Sequence, residues 1–183
     1  MQAADPTEAL ERAIRLHGRA RESGSGRTVL VGLIGRGIQA SRTPTMHERE
    51  GMRLGLACDY VLIDFDQLGL ADEALGAVIA AAERRGFAGL NVTHPYKQSV
   101  LSCLAGLSPE AAAIGAVNTV ILRDGARVGH NTDCWGFAES FRQAMPGAEP
   151  GAVVQFGAGG AGAAVAHALL ELGARALAIV DTD

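Results

Sequence analysis

From Thr28 onward, short apolar runs alternate with stretches in which apolar positions recur at helical spacing. Residues 28–34 (TVLVGLI) have the length and β-branched content of a buried strand. Pro44 suits a helix start, and the residues that follow it, 46–56, predict a helix. Residues 60–65 (YVLIDF) predict a second strand. Residues 72–85 predict an alanine-rich helix closed by Gly86, and 87–92 (FAGLNV) a third strand. Residues 95–104 and 108–114 read as short helices. Residues 116–122 and 127–129 flank Asp124-Gly125, a hairpin signal. Residues 133–144 predict a helix, ended by Pro146-Gly147.

Pro150 and Gly151 mark a boundary, after which the cycle restarts. Residues 152–156 (AVVQF) predict a strand, 157–162 a glycine turn, 163–172 a helix and 177–180 (LAIV) a strand. The chain is therefore α/β, with one unit over 28–148 and a second over 149–183. A single βαβ unit cannot cover both faces of a parallel sheet, so the second domain is expected to be incomplete in this chain. Residues 5–21 read as a helix capped by Thr7, with a thin apolar stripe at Ala9, Ala13, Leu16 and Ala20. The following Ser-Gly-Ser-Gly, 23–26, reads as a flexible joint. Residues 1–27 are thus expected to be a peripheral helix and linker.

Composition narrows the partners. A net charge of −4, without basic blocks or acidic tails, points away from nucleic acid and membrane surfaces. No apolar run is long enough to span a bilayer, and no basic-then-apolar leader opens the chain. The 3 cysteines form no CxxC pair, which fits a reducing cytoplasm better than a disulfide scaffold. No HxxxH or His/Cys pairing falls at metal spacing, so no metal site is expected.

The glycine turn carries the first chemistry. Gly157-Ala158-Gly159-Gly160-Ala161-Gly162 satisfies GxGxxG, follows an apolar strand and opens a helix. Asp181 then ends the next strand. Strand, turn, helix, strand and acid in that order form the dinucleotide fingerprint in its required context. Gly157 allows the tight turn, Gly159 lets backbone approach a pyrophosphate, and Gly162 lets helix and strand pack closely. A carboxylate at Asp181 accepts hydrogen bonds from the ribose 2′-hydroxyl of NAD and repels the 2′-phosphate of NADP, which places NAD ahead of NADP. The second unit is therefore the start of a Rossmann-type dinucleotide-binding domain, and residues 28–148 are the candidate substrate domain.

Polar residues gather where the strands of that first unit end: Ser41 and Thr43, Asn91 and Thr93, Lys97, Asn118, and Asp133. Ligands bind at such strand ends in α/β sheets. Together these segments resemble the shikimate dehydrogenase family. ASRTPTMHE (40–48), NVTHPYKQ (91–98), IGAVNTV (114–120), GHNTD (129–133) and QFGAGGAG (155–162) follow the family's motifs in the family's order. SRTP, HPYK and the acid at Asp181 look like the NAD-using quinate/shikimate dehydrogenase branch. NADP-using members typically carry Asn-Arg-Thr where Asp181-Thr-Asp183 stands here.

The resemblance implies an oxidoreductase of the shikimate pathway of aromatic amino acid biosynthesis. It would be a cytoplasmic monomer or homodimer acting on a small polyhydroxylated cyclic carboxylate. Lys97 and Asp133 would be the catalytic pair, Ser41 and Thr43 would bind the carboxylate, and Asn91, Thr93 and Asn118 the ring hydroxyls. The chemistry suits these side chains. Oxidising a ring alcohol sends its hydride to the nicotinamide and its proton elsewhere, and a lysine within reach of the oxygen can take that proton. Hydroxyls converge on a carboxylate, and an amide both donates and accepts toward a diol. An enzyme acting on an aminated analogue of the same ring carries nearly the same motifs. A metabolite sensor of the same fold is the non-catalytic alternative, against which the intact Lys97–Asp133 pair and glycine turn argue. Read singly, each residue has a plainer role: Ser41, Thr43 and Asp133 as helix caps, Lys97 as a solvated surface charge. Tyr96 and Trp135 are expected to pack, and His47, His94 and His130 to make local hydrogen bonds.

Overall fold

The computed structural model describes residues 4–17 and 28–182. The predicted 28–34 run becomes β1 (Thr28–Gly35), followed by α2 (Thr43–Arg53) and β2 (Ala57–Asp64). A short α3 (Phe65–Leu68) and a 3₁₀ turn lead into α4 (Leu75–Arg84), then β3 (Gly89–Val92) and α5 (Tyr96–Ser99). After β4 (Gly106–Leu107) and α6 (Pro109–Ile114) come the hairpin strands β5 (Thr119–Arg123) and β6 (Ala126–His130), then α7 (Asp133–Ala144). The second unit contributes β7 (Ala152–Phe156), α8 (Gly160–Glu171) and β8 (Ala176–Val180). A helix α1 (Pro6–His17) precedes them all.

The first six strands form one mixed sheet ordered β2-β1-β3-β5-β6-β4. β1 runs parallel to β2 and β3, whereas β5 pairs antiparallel with β3 and β6. Both faces of the central strands are covered, and the period of two sorts their side chains. Ile34, Val61 and Ile63 join the main core with Val78, Ile79 and Ala82 of α4. Leu33, Tyr60 and Leu62 form a second cluster with Ile38. The hairpin turns through Asp124 (φ 53°) and Gly125 (φ 75°), the left-handed pair that Asp-Gly predicts. β7 and β8 pair in parallel as a separate two-stranded sheet. Val154 and Phe156 on β7 and Ile179 and Val180 on β8 are exposed. Among the described residues no helix is long and apolar enough to cross a membrane.

Three expectations need correction. The predicted second strand stops at Asp64, because that carboxylate accepts from the Asp66 amide (3.1 Å) and starts α3. The last helix begins inside the glycine turn, at Gly160 rather than 163. The third concerns α1, which is not peripheral. Ala9, Leu10 and Ala13 are buried in the main core, whereas Leu16 is exposed; Ala20 and the 23–26 joint lie outside the described residues. Its cap is Asp5, whose Oδ1 accepts from the amides of Thr7 (2.9 Å) and Glu8 (3.0 Å). Arg85, just past α4, pairs with Glu11 at 2.6 Å and ties the helix down. A Leu10→Ala variant should therefore lose about 2–5 kcal/mol in urea unfolding, as core leucines do. A loss below about 0.5 kcal/mol, as at a surface site, would return α1 to the periphery.

Candidate active site

The loop between β3 and α5 is fixed before its lysine is placed. Thr93 N donates to Ile34 O (2.9 Å), and Tyr96 N donates to Thr93 O (2.8 Å). Tyr96 packs beneath the loop as expected: it is buried, with its ring 4.7 Å from that of Phe65. Its hydroxyl donates to Asp72 Oδ1 (2.6 Å), which also accepts from Arg36 Nε (2.9 Å). Arg36 further bonds Asp66 and Leu70 O. The Tyr96 hydroxyl, then Arg36, hold the Asp72 carboxyl below its ordinary range, and the Asp72 and Asp66 carboxylates push the Arg36 guanidinium up. This network pins the residue just before Lys97, whose own carbonyl accepts from Val117 N (2.7 Å).

Lys97 Nζ donates to Asp133 Oδ2 in a partly buried ion pair. Asp133 opens α7, but it does not cap that helix. Asn131 Oδ1 accepts from the amides of Asp133 (3.0 Å) and Cys134 (3.3 Å), while Asn131 Nδ2 donates to Ala116 O (2.9 Å). With the helix end satisfied by Asn131, the Asp133 carboxylate is free to face Lys97 on one oxygen and Asn118 on the other. Asn118 Nδ2 donates to Asp133 Oδ1 (2.9 Å) and to Thr132 Oγ1 (2.8 Å). Its Oδ1 accepts from Thr119 Oγ1 (3.0 Å) and Thr132 N (3.0 Å). Asn91 Nδ2 donates to Thr119 Oγ1 (3.2 Å), and Asn91 Oδ1 accepts from the buried Tyr60 hydroxyl (2.7 Å). One hydrogen-bonded chain thus runs from Tyr60 through Asn91, Thr119, Asn118 and Asp133 to Lys97.

Ser41 and Thr43 meet each other at the start of α2. Ser41 Oγ donates to Thr43 Oγ1 (2.9 Å) and accepts from Thr43 N (3.2 Å). Their loop hangs on Asp64, whose carboxylate accepts from the amides of Gly37 (3.1 Å) and Ile38 (3.0 Å) and from Gln39 Nε2 (3.0 Å). Burial alone would raise the Asp64 carboxyl; the donors of Gln39, Ile38, Asp66 and Gly37 outweigh it and hold the group low. Among the described residues no hydrogen bond joins Ser41 or Thr43 to the Lys97 network.

The glycine turn faces the same lysine. A cleft of about 520 Å³ is lined by Thr93, Lys97 and Gln98 on one side and by Gly157 and residues 159–162 on the other. The first turn of α8 has no side-chain cap, so its amides remain available there. Gln155, buried at the end of β7, donates through Nε2 to Gly157 O (2.7 Å) and Gly162 O (3.0 Å), closing the turn. Asp181 receives the Ala158 amide and Thr182 N (2.6 Å), which sets its carboxylate beside the turn. Uncapped amides, an open cleft and an adjacent carboxylate fit a dinucleotide's pyrophosphate and ribose.

Sequence reasoning assigned no role to Tyr60, Asp64, Thr119, Asn131 or Gln155, although Thr119 and Asn131 stand among the polar residues at the strand ends. Asn131, Thr119 and Gln155 lie inside quoted motifs; Tyr60 and Asp64 left only the weak signal of polar atoms within apolar strands. Trp135 is 70% exposed, contrary to the packing expected of it, because Cys134 and Ala138 take the buried face of α7. His47 makes the local bond expected, Nδ1 to Thr43 O (3.0 Å).

Residues 33–120 match the family model described as the shikimate dehydrogenase substrate binding domain. The chain is 59% identical over 152 residues to "Shikimate dehydrogenase (NADP(+))" of Streptomyces avermitilis, covering 83% of this chain and 52% of the relative. It is 47% identical over 157 residues to "Quinate/shikimate dehydrogenase (NAD(+))" of Corynebacterium efficiens, covering 85% and 55%. Quinate dehydrogenase from Corynebacterium glutamicum, solved in complex with NAD, superposes with a TM-score of 0.79 at 46% identity, covering 85% of this chain and 56% of that one. The chain spans about half the length of the curated relatives it matches.

Proposed function

Because the chain belongs to the shikimate dehydrogenase family, we propose that the protein interconverts quinate or shikimate and the corresponding 3-dehydro ketone, with NAD as its preferred cofactor. The observation that carries the reading is Lys97: it pairs with Asp133 and lines the same cleft as the glycine turn. A bound nicotinamide would supply the hydride acceptor.

The chain's own residues would do the rest. Lys97 Nζ would take the proton from the ring hydroxyl, or return it in reduction. Asp133 would hold the ammonium in place and anchor a neighbouring hydroxyl, its other oxygen being fixed by Asn118. Asn118, Asn91 and Thr93 would receive the remaining ring hydroxyls, and Ser41 and Thr43 the substrate carboxylate. Gly157, Ala158, Gly159, Gly160, Ala161 and Gly162 would cradle the pyrophosphate at the start of α8.

NAD preference rests on Asp181, whose carboxylate lies beside the turn. The Streptomyces relative is named for NADP(+) and the Corynebacterium efficiens one for NAD(+), so selectivity is the discriminating measurement. Steady-state reduction of NAD⁺ and NADP⁺ by the native full-length protein, with quinate, shikimate and an aminated analogue, tests both parts. Turnover with quinate or shikimate, faster with NAD⁺, is expected. Tight shikimate binding without turnover would sink the dehydrogenase reading. Asp181→Ala should erode the NAD⁺ preference by about 10-fold or more, since a hydrogen bond to a charged group contributes roughly 1.5–3 kcal/mol. Unchanged selectivity would remove Asp181 from the ribose site.

A further inference from the structure

α7 and α8 meet through small side chains. Cys134, Ala138, Ala164 and Ala168 are all buried at the seam, which lets the two helices approach closely. The close approach brings three metal-ligating groups together. Cys134, in the first turn of α7, places Sγ 3.8 Å from Glu171 Oε2. His167 and Glu171 are four residues apart on α8 and so share one face, with His167 Nε2 3.4 Å from Glu171 Oε1. One ligand atom from each of the three residues lies within 4.8 Å of the others.

We infer that Cys134, His167 and Glu171 form a three-ligand site for a divalent transition metal of the Zn²⁺ type. The donors are one sulfur, one nitrogen and one oxygen, a mixture that Zn²⁺ accepts and that Mg²⁺ and Ca²⁺, which seek oxygen, do not. Metal–ligand bonds of roughly 2.0–2.3 Å put tetrahedral neighbours roughly 3.3–3.8 Å apart; Cys134 and His167 each lie at such a distance from Glu171, though from opposite oxygens of its carboxylate, so a rotation of that carboxylate would bring one oxygen to both. Cys134 closes the buried side, while His167 and Glu171 are open to solvent and leave a fourth position for water. On binding, the Cys134 S–H bond breaks, the proton passes to solvent and a sulfur–metal bond forms, with no change of oxidation state. Sequence spacing did not show this site because its helical pair is His-x-x-x-Glu and its third ligand lies on another helix. The bound metal would tie α7, which begins at Asp133, to α8, which begins in the glycine turn.

Chelator-treated 183-residue chain titrated with Co²⁺ provides the test. Visible bands of tetrahedral cobalt and a near-ultraviolet thiolate-to-cobalt band should appear, saturate at one metal per chain and vanish on adding Zn²⁺. Cys134→Ser should abolish the thiolate band, while Cys58→Ser and Cys103→Ser should retain it. His167→Gln should weaken binding by at least about 10-fold, since losing even an outer partner of a ligand costs roughly 10–100-fold. His167 is partly exposed, so this variant decides the matter even where Cys134→Ser disturbs folding, as circular dichroism would reveal. Absent bands, bands that survive Cys134→Ser, or an unchanged affinity in His167→Gln would each overturn the site.

Discussion

Lys97→Ala should lower kcat by roughly 10²- to 10⁴-fold, the range a positioned proton donor or acceptor contributes, with a much smaller change in KM. That is about 2.7–5.5 kcal/mol of barrier. The geometry explains why the loss should fall on kcat. Lys97 is set in place by Tyr96 beneath it and by Val117 N on its carbonyl, neither of which involves its side chain. Removing the side chain also leaves Asp133 partnered, because Asn118 Nδ2 still donates to its other oxygen. The fold should therefore survive the substitution, and substrate hydroxyls should still find Asp133 and Asn118. Lys97→Arg separates two roles for the lysine. Arginine keeps a positive charge but does not release its proton in proteins, so a proton-carrying role predicts a loss close to that of alanine. Recovery of most of kcat by arginine would make Lys97 an electrostatic donor to a developing alkoxide instead. A loss confined to KM in the alanine variant would reduce it to a binding residue.

The alternation of apolar runs was enough to read the α/β class and most of the strand–helix order. Those features depend on periodicity, which is local. The antiparallel insertion of β5 and β6 beside β3 followed from the Asp124-Gly125 signal only as a hairpin; its place in the sheet depends on long-range pairing. The role of α1 was misread for a related reason. Its stripe is thin in sequence, and only the packing of Leu10 against a distant strand and α4 shows it to be core. At the candidate site, residues of unusual chemistry drew notice in the sequence and the residues that hold them did not. Lys97, Asp133 and Asn118 stand out by type and place. Asn131 does not, yet it takes over the capping of α7 and so releases Asp133. Tyr60 read as one apolar strand residue among several, although its hydroxyl terminates the hydrogen-bonded chain that begins at Lys97. Such supports depend on which atoms face each other across elements, and no spacing rule within one segment carries that information.

The glycines of the turn allow the strongest separation of fold from binding. A Cβ on Gly162 would lie 2.8 Å from the Gly157 carbonyl carbon, closer still to its oxygen, and 3.1 Å from Gln155 Nε2. Those carbonyl atoms are backbone and cannot rotate away, so α8 must move off β7 or the turn must open. Either response breaks the pair of hydrogen bonds by which Gln155 closes the turn. Gly162→Ala should thus cost about 1–3 kcal/mol of stability as overpacking does, and dinucleotide affinity should fall by roughly 5- to 150-fold as the turn loses its shape. Gly159 is the opposite case. Its backbone lies in the extended region (φ −63°, ψ −175°), and a Cβ there meets nothing within 4 Å. Gly159→Ala should leave the unfolding midpoint unchanged and still weaken the dinucleotide, because the methyl would occupy the approach a pyrophosphate needs. Thermal unfolding and NAD⁺ titration of both variants decide the matter. A Gly159→Ala protein that binds NAD⁺ as tightly as the parent would mean that the open space at Gly159 does not serve the cofactor. A Gly162→Ala protein of parental stability would mean that α8 and β7 can separate without cost, which the closed Gln155 bridge argues against.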